Sequence, residues 1–217
     1  MERCPSPCGH GTHSYAEKLD LTTEQLRTLV DEHKGLREIK EKWHESEPRV
    51  VKVYELNAAN IIRNLPNAGS RNGKEFPDLI IKTFRTANGG TDMPARREVG
   101  ALRWLNKLGC EHAPTLLRTF KIKKKHFRIH VVVMKKIEGV TLSDCYRMTN
   151  AERLKVRSAF AVAVRAVAKC QIYNGSPALR NLMYSAEDDR CYIIDYERTE
   201  FGDVAIFRME LGLWGLF

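Results

Sequence analysis

The chain has no apolar run approaching the roughly 18 residues that a membrane-spanning helix needs. Its first residues, MERCPSPCGHGTH, lack the apolar centre of a secretion signal. The six cysteines are scattered, without the spacing of a secreted disulfide framework. These absences lead us to expect a reduced, cytoplasmic protein with no membrane contact. Acidic residues are also scarce: 27 Asp and Glu stand against 36 Lys and Arg, for a net charge of +9. That balance suits acidic partners such as nucleic acid or nucleotides, and it equally describes a solubilising surface. The 217 residues, 43% hydrophobic and 29% charged, suffice for a substantial core in one two-lobed domain or two small ones.

Residues 1–20 read as a flexible tail. Cys4, Cys8, His10 and His13 are zinc-ligand types, but their spacing is too tight for paired finger knuckles, and no metal is assigned. Residues 22–46 read as one helix. Thr22 and Gln25 form a capping box, and Leu26, Leu29, Val30, Leu36, Ile39 and Trp43 form its stripe, with Gly35 as a bend or break. Strands are expected over Val50–Leu56, Ala58–Leu65 and Leu79–Phe84, with a turn region over Asn67–Lys74. Lys82 lies inside the third apolar run, where a lysine either snorkels to solvent or serves a buried anion. A helix follows over Ala95–Lys107 and carries Glu98.

Two further strands, Thr115–Ile122 and Phe127–Met134, flank a basic turn. Lys121, Lys123, Lys124, Lys125 and Arg128 there offer either a phosphate-backbone surface or an ordinary solvated hairpin tip. Residues 149–171 read as a helix capped by Asn150, with Leu154, Phe160, Val164, Val167 and Ala168 inside. Phe201–Phe217 is expected to form a short closing helix.

The stretch from Ile172 to Glu197 organises the chain. A loop ends at Asn181. The apolar segments Leu182–Tyr184 and Tyr192–Ile194 then fold about the polar turn Glu187–Asp189 and return Asp195 towards that loop. Read alone, this is either a surface hairpin or half of a phosphoryl-transfer site, in which an Asn and an Asp hold magnesium. With Lys82 on a strand, Glu98 on the next helix and the linker Lys135–Leu142, the ordered set resembles the protein-kinase-like superfamily, especially small aminoglycoside- and lipopolysaccharide-kinase-type phosphotransferases. Ile194–Arg198 looks like the Ile-Asp-Phe-Glu-Arg of small fungal members. The resemblance implies an α+β, two-lobed fold: tail 1–20, antiparallel-sheet N-lobe 21–138, and truncated, mainly helical C-lobe 139–217.

Two departures stand out. The family's catalytic aspartate corresponds to Ser176, five residues before Asn181, and no glycine-rich loop joins the first two strands; Gly69 and Gly73 fall beyond the second. In size, charge and altered loop the chain resembles the fungal arginine-containing cyclodipeptide synthases. That likeness implies aminoacyl-tRNA substrates, arginyl-tRNA among them, and no cofactor. Lys82, Glu98, Ser176, Asp195 and Glu197 would then be catalytic, and Asn181, Tyr173 and Tyr196 would bind substrate. Lys82, Tyr173 and Tyr196 are also candidate proton shuttles, and the basic hairpin would hold tRNA. The alternative is a pseudokinase that binds ATP and Mg2+ or acts as a scaffold. A third reading is a phosphotransferase that uses another carboxylate, such as Glu197.

Overall fold

The computed structural model describes residues 21–44, 49–65, 76–88, 90–202 and 214–216. The Cys4/Cys8/His10/His13 group, the turn region Asn67–Lys74 and most of the closing segment lie outside these residues. Among the described residues no helix is long and apolar enough to cross a membrane.

Thr22 Oγ1 accepts the Gln25 N–H at 3.1 Å, and Gln25 Oε1 accepts the Thr22 N–H at 2.8 Å. This reciprocal cap starts α1, Thr23–Glu32. The helix ends well before residue 46. His33 and Gly35 are left-handed, with φ of 53° and 69°. A Cβ on Gly35 would lie 2.6 Å from Asn64 Nδ2. The chain therefore turns, and Arg37–His44 becomes β1, antiparallel to β2, Arg49–Leu56. Ile39 and Trp43 thus belong to a strand rather than to a helical stripe.

Ala58–Leu65 also differs from the strand expected of it. Ala58–Asn64 is α2. Asn57 Oδ1 accepts the Asn60 N–H at 2.9 Å, and Asp78 Oδ1 accepts the Ala58 N–H at 3.0 Å. Short apolar runs are ambiguous in period, and here the cap decides.

β3 (Leu79–Ala87), α3 (Met93–Lys107), β4 (Leu116–Lys123) and β5 (Phe127–Lys135) complete the first half, close to the expected spans. The five strands form one antiparallel sheet in the order β1-β2-β3-β5-β4. β3 is central, so its pleat fills both faces. Leu79 and Ile81 pack with Leu26, Leu29 and Ile61 beneath α1 and α2. Phe84 packs on the opposite side with Val99, Leu102 and Leu105 of α3. Helices thus cover both faces of the sheet.

The second half holds β6 (Val140–Thr141), a 3-10 turn (Leu142–Arg147), α4 (Asn150–Lys169), β7 (Ile172–Asn174), β8 (Leu182–Ser185), β9 (Arg190–Ile193) and β10 (Thr199–Phe201). Thr149, not Asn150, caps α4: it accepts the Glu152 N–H while the Glu152 carboxylate accepts its own at 2.7 Å. The buried face of α4 is Val156, Ala159, Phe160, Ala163, Val167 and Ala168. Leu154, expected inside, is 64% exposed. Phe201, expected in a closing helix, pairs with Ile172 as the edge of a two-stranded sheet. The core of this half is continuous with the inner face of the large sheet, and Tyr196 is fully buried within it. The architecture is α+β, an antiparallel sheet with its helices followed by a second half that, expected to be mainly helical, has among its described residues one α-helix, two 3-10 turns and five short strands.

Gly139 joins β5 to β6 where the chain passes against β8; a Cβ there would lie 2.6 Å from the Tyr184 carbonyl oxygen. Gly139→Ala should therefore cost about 1–3 kcal/mol in urea denaturation, the usual cost of overpacking. Gly109 is left-handed with nothing within 4 Å of its would-be Cβ. Gly109→Asn should cost about 1 kcal/mol or less, because asparagine tolerates that conformation. Equal losses would show that the linker does not press on the hairpin.

Candidate functional site

Lys82 lies near the centre of β3, the middle strand of the sheet. Its backbone pairs with Val53 on one side and Val132 on the other. The pleat turns its side chain, like that of Phe84, towards α3. On α3 the buried stripe is Ala95, Glu98, Val99, Leu102 and Leu105, so Glu98 occupies a core position. Lys82 Nζ donates to Glu98 at 2.5 Å and to Asp195 at 2.7 Å, and lies 4.9 Å from the Phe84 ring centroid. Lys82 and Glu98 are 5% and 2% exposed.

Asp195 reaches this point because the chain turns two residues after β9, where Asp195 itself is left-handed with φ of 68°. Aspartate bears that conformation better than most side chains. Asn174 fixes the turn: its Nδ2 donates to the Ile194 and Asp195 carbonyls at 3.3 and 3.2 Å. Glu197, 5% exposed, adds a third buried negative charge near the lysine. Burial opposes the charge on Lys82, but Glu98, then Asp195 and Glu197, outweigh it and hold the ammonium protonated. The balance for Glu98 is opposite. Burial, reinforced by Asp195 and Glu197, overcomes Lys82 and pushes its carboxyl up to about 7. Lys82 pairs with two of these carboxylates, Glu98 and Asp195, and at Glu98 burial is the larger effect.

The loop before β8 is tied through its backbone. Asn174 Oδ1 accepts the Ser176 N–H at 3.0 Å, and Asn181 Nδ2 donates to the Ser176 carbonyl at 2.8 Å. Asn181 is 1% exposed, and its Oδ1 has no hydrogen-bond partner among the described residues. The Asn181 carbonyl accepts the Ile194 N–H at 2.9 Å, beside the turn that carries Asp195, and an orphaned amide oxygen there is a ligand type for a hard divalent cation. Among the described residues no group of three or more His, Cys, Asp or Glu is placed to hold a metal. An ion held by Asn181 and Asp195 would therefore take further oxygens from a bound phosphate.

Lys82, Glu98 and Asp195 close the inner end of a cleft of about 450 Å³. Val51, Val53, Ile80, Met134, Met183 and Ile194 make its walls apolar, and the linker Lys135–Ile137 forms its rim. An apolar slot with a few charged groups at one end is the usual form of a small-molecule site.

Of the residues singled out in the sequence, Lys82, Glu98 and Asp195 meet directly, with Glu197 beside them. Ser176 and Asn181 stand on the loop opposite. Tyr173 alternates away from Asn174 on β7 and is half-buried. Tyr196 lies wholly in the core, and burial raises its pKa well above the ordinary value. The basic hairpin stands apart: Phe127 is five residues along β5 from Val132, the partner of Lys82, about 17 Å at strand rise. Lys121 pairs with Asp92 at 2.9 Å and Lys124 with Asp31 at 3.0 Å. The connection between the first two strands is Glu45-Ser46-Glu47-Pro48, again without glycine.

Asn174 escaped the sequence reading. Its signal was its place two residues before Ser176, where the kinase motif has histidine. Arg180, beside Asn181 at the cleft mouth, gave no such signal.

Among solved structures, that of the Cydia pomonella granulovirus kinase PK-1 is similar to this chain at 13% sequence identity and a TM-score of 0.48; the match covers 83% of this chain and 58% of that one. The chain thus spans less than two thirds of the length of that kinase. No protein-family model and no curated protein matches the chain.

Removing Lys82 strands Glu98, Asp195 and Glu197 together. Lys82→Met should cost about 3–5 kcal/mol at pH 8, the penalty for breaking a buried pair. Without the ammonium, the folded-state pKa of Glu98, already raised by burial, rises further above the unfolded one. Its contribution is then fully present below the unfolded pKa and lost as pH rises through the folded one. Urea titrations should accordingly show the deficit shrinking from pH 8 to pH 5. Glu98→Gln, which leaves Asp195 on the lysine, should cost much less. A Lys82→Met deficit independent of pH would refute the shared-charge account.

Proposed function

We propose that this chain is a nucleotide-binding, kinase-like module that does not transfer the phosphoryl group. The observation that carries the reading is Lys82, held by Glu98 and Asp195 at the closed end of an apolar cleft. A lysine so placed is the family's contact to nucleotide phosphates. The cleft walls suit a base, Lys82 suits the phosphates, and Asn181 Oδ1 with Asp195 would hold Mg2+, which supplies charge neutralisation when bound. Transfer would further require a carboxylate on the acceptor hydroxyl, and Ser176 stands in that position.

ATP with Mg2+ at a hundred times its dissociation constant should stabilise the protein by about 2.7 kcal/mol in thermal unfolding. Lys82→Met should abolish the response, and no labelled phosphate should reach an acceptor. Ser176→Asp should fold normally, because the loop is tied through the backbone of residue 176. No shift with folded wild-type protein would sink this reading.

The carboxylates of Glu98 and Asp195 at the inner end of the cleft support a second reading, in which the cleft takes a guanidinium rather than a triphosphate. The chain would then be an aminoacyl-tRNA-dependent cyclodipeptide synthase, with arginine held by Glu98, Asp195 or Glu197 and tRNA by the basic hairpin. Expression in a microbial host would distinguish the two. An arginine-containing cyclic dipeptide in the extract, lost in Asp195→Ala, would support the second reading.

A further inference from the structure

The cations that line the cleft are, with one exception, already engaged. Lys82 spends two of its three N–H donors on Glu98 and Asp195. Arg37 pairs with Glu55, and Lys136 pairs with the same carboxylate at 3.0 Å. Lys40 and Lys135 are engaged as well. Arg180 lines the same cleft, and among the described residues its guanidinium has no ion pair and no hydrogen bond.

The backbone beneath Arg180 is fixed. Leu179–Asn181 is a single 3-10 turn, closed by the Asn181 N–H donating to the Ala178 carbonyl at 2.9 Å. Leu179 packs on the core, where a Cβ on Gly215 would lie 3.6 Å from its Cγ. Asn181 is buried, and its Oδ1 is the orphaned oxygen described above. With both neighbours turned inward, Arg180 stands exposed between them and keeps its five donors for a ligand. An unpaired arginine on an open surface needs no explanation. This one borders a cleft and adjoins a buried amide oxygen that itself lacks a partner.

We propose that Arg180 binds the phosphate chain of the nucleotide and makes the cleft select nucleoside polyphosphates over nucleosides. The inference rests on the nucleotide-binding reading. The inner end of the cleft offers one ammonium against two carboxylates, so those three groups alone do not attract a polyphosphate. The connection Glu45-Ser46-Glu47-Pro48 has no glycine with which to wrap phosphates in backbone N–H groups. Arg180 supplies the missing positive charge, and it breaks no existing pair in doing so. Its planar fork matches phosphate oxygens in bidentate fashion. The same charge repels an incoming guanidinium, so the inference sets the two readings of the cleft apart.

Isothermal titration of the full chain with ATP and Mg2+, and separately with adenosine, tests this. Wild type should bind ATP more tightly than adenosine. Arg180→Gln should weaken ATP about 10–100-fold, the usual worth of a hydrogen bond to a charged group, and leave adenosine unchanged. Arg180→Lys should recover part of the loss, since it keeps the charge without the fork. Arg180→Gln should also unfold at the wild-type urea concentration, because it gives up no partner. Lys155→Gln removes an equal charge from the exposed side of α4, outside the cleft, and should leave ATP affinity unchanged. The inference is overturned if Arg180→Gln binds ATP as wild type does, if it loses ATP and adenosine alike, or if Lys155→Gln weakens ATP as much. Folded wild type that binds neither ligand would overturn the nucleotide reading itself, and this inference with it.

Discussion

A single buried ammonium holds the two halves of this chain together. Lys82 comes from the centre of the sheet, Glu98 from the helix on its inner face, and Asp195 from a turn 113 residues further along. Burying a charge is tolerable only when it is paired and hydrogen-bonded. The sheet must therefore sit where α3 and the β9 turn can both reach the same nitrogen. The demand propagates outwards. α3 must present Glu98 from its core stripe, which fixes its rotation, and Asp195 must adopt a left-handed backbone, which Asn174 secures from β7. The charge excess is a source of tension as well as order. Burial, together with the charges of Asp195 and Glu197, keeps Glu98 close to losing its charge near neutral pH.

The parts legible in the sequence were those fixed by short-range chemistry or by ordered spacing. The Thr22–Gln25 cap, the β4–β5 and β8–β9 hairpins and the span of α3 follow from local pattern. Lys82, Glu98, Asn181 and Asp195 could be placed together because their order and spacing match a known pattern. The sequence misled where the decision is tertiary. Residues 37–44 carry apolar positions that fit a helix nearly as well as a strand. Gly35 settles the matter by turning the chain against Asn60 and Asn64. Ala58–Leu65 was ambiguous for the same reason, and the Asn57 cap was overlooked. Leu154 matches the helical period of α4, yet the face that meets the core is set by Phe160 and its partner Trp214, 5.5 Å apart. The cleft walls were illegible, since Val51, Met134 and Met183 are ordinary core types until the fold brings them together.

Loop architecture and loop chemistry are separable here. The loop before β8 is held by Asn174 and Asn181, and both use backbone atoms of residue 176 rather than its side chain. A carboxylate can be exchanged for a hydroxyl at that position without loosening the loop. Asn181 cannot be exchanged so freely, because its amide holds the loop through Nδ2. The same reasoning ranks the rest of the site. Lys82, Glu98 and Asp195 bear structural load whatever the cleft binds, so their presence alone does not distinguish a catalyst from a binding module. Ser176 bears none through its side chain, and its identity is therefore the more direct report on whether the acceptor's proton is handled at this site.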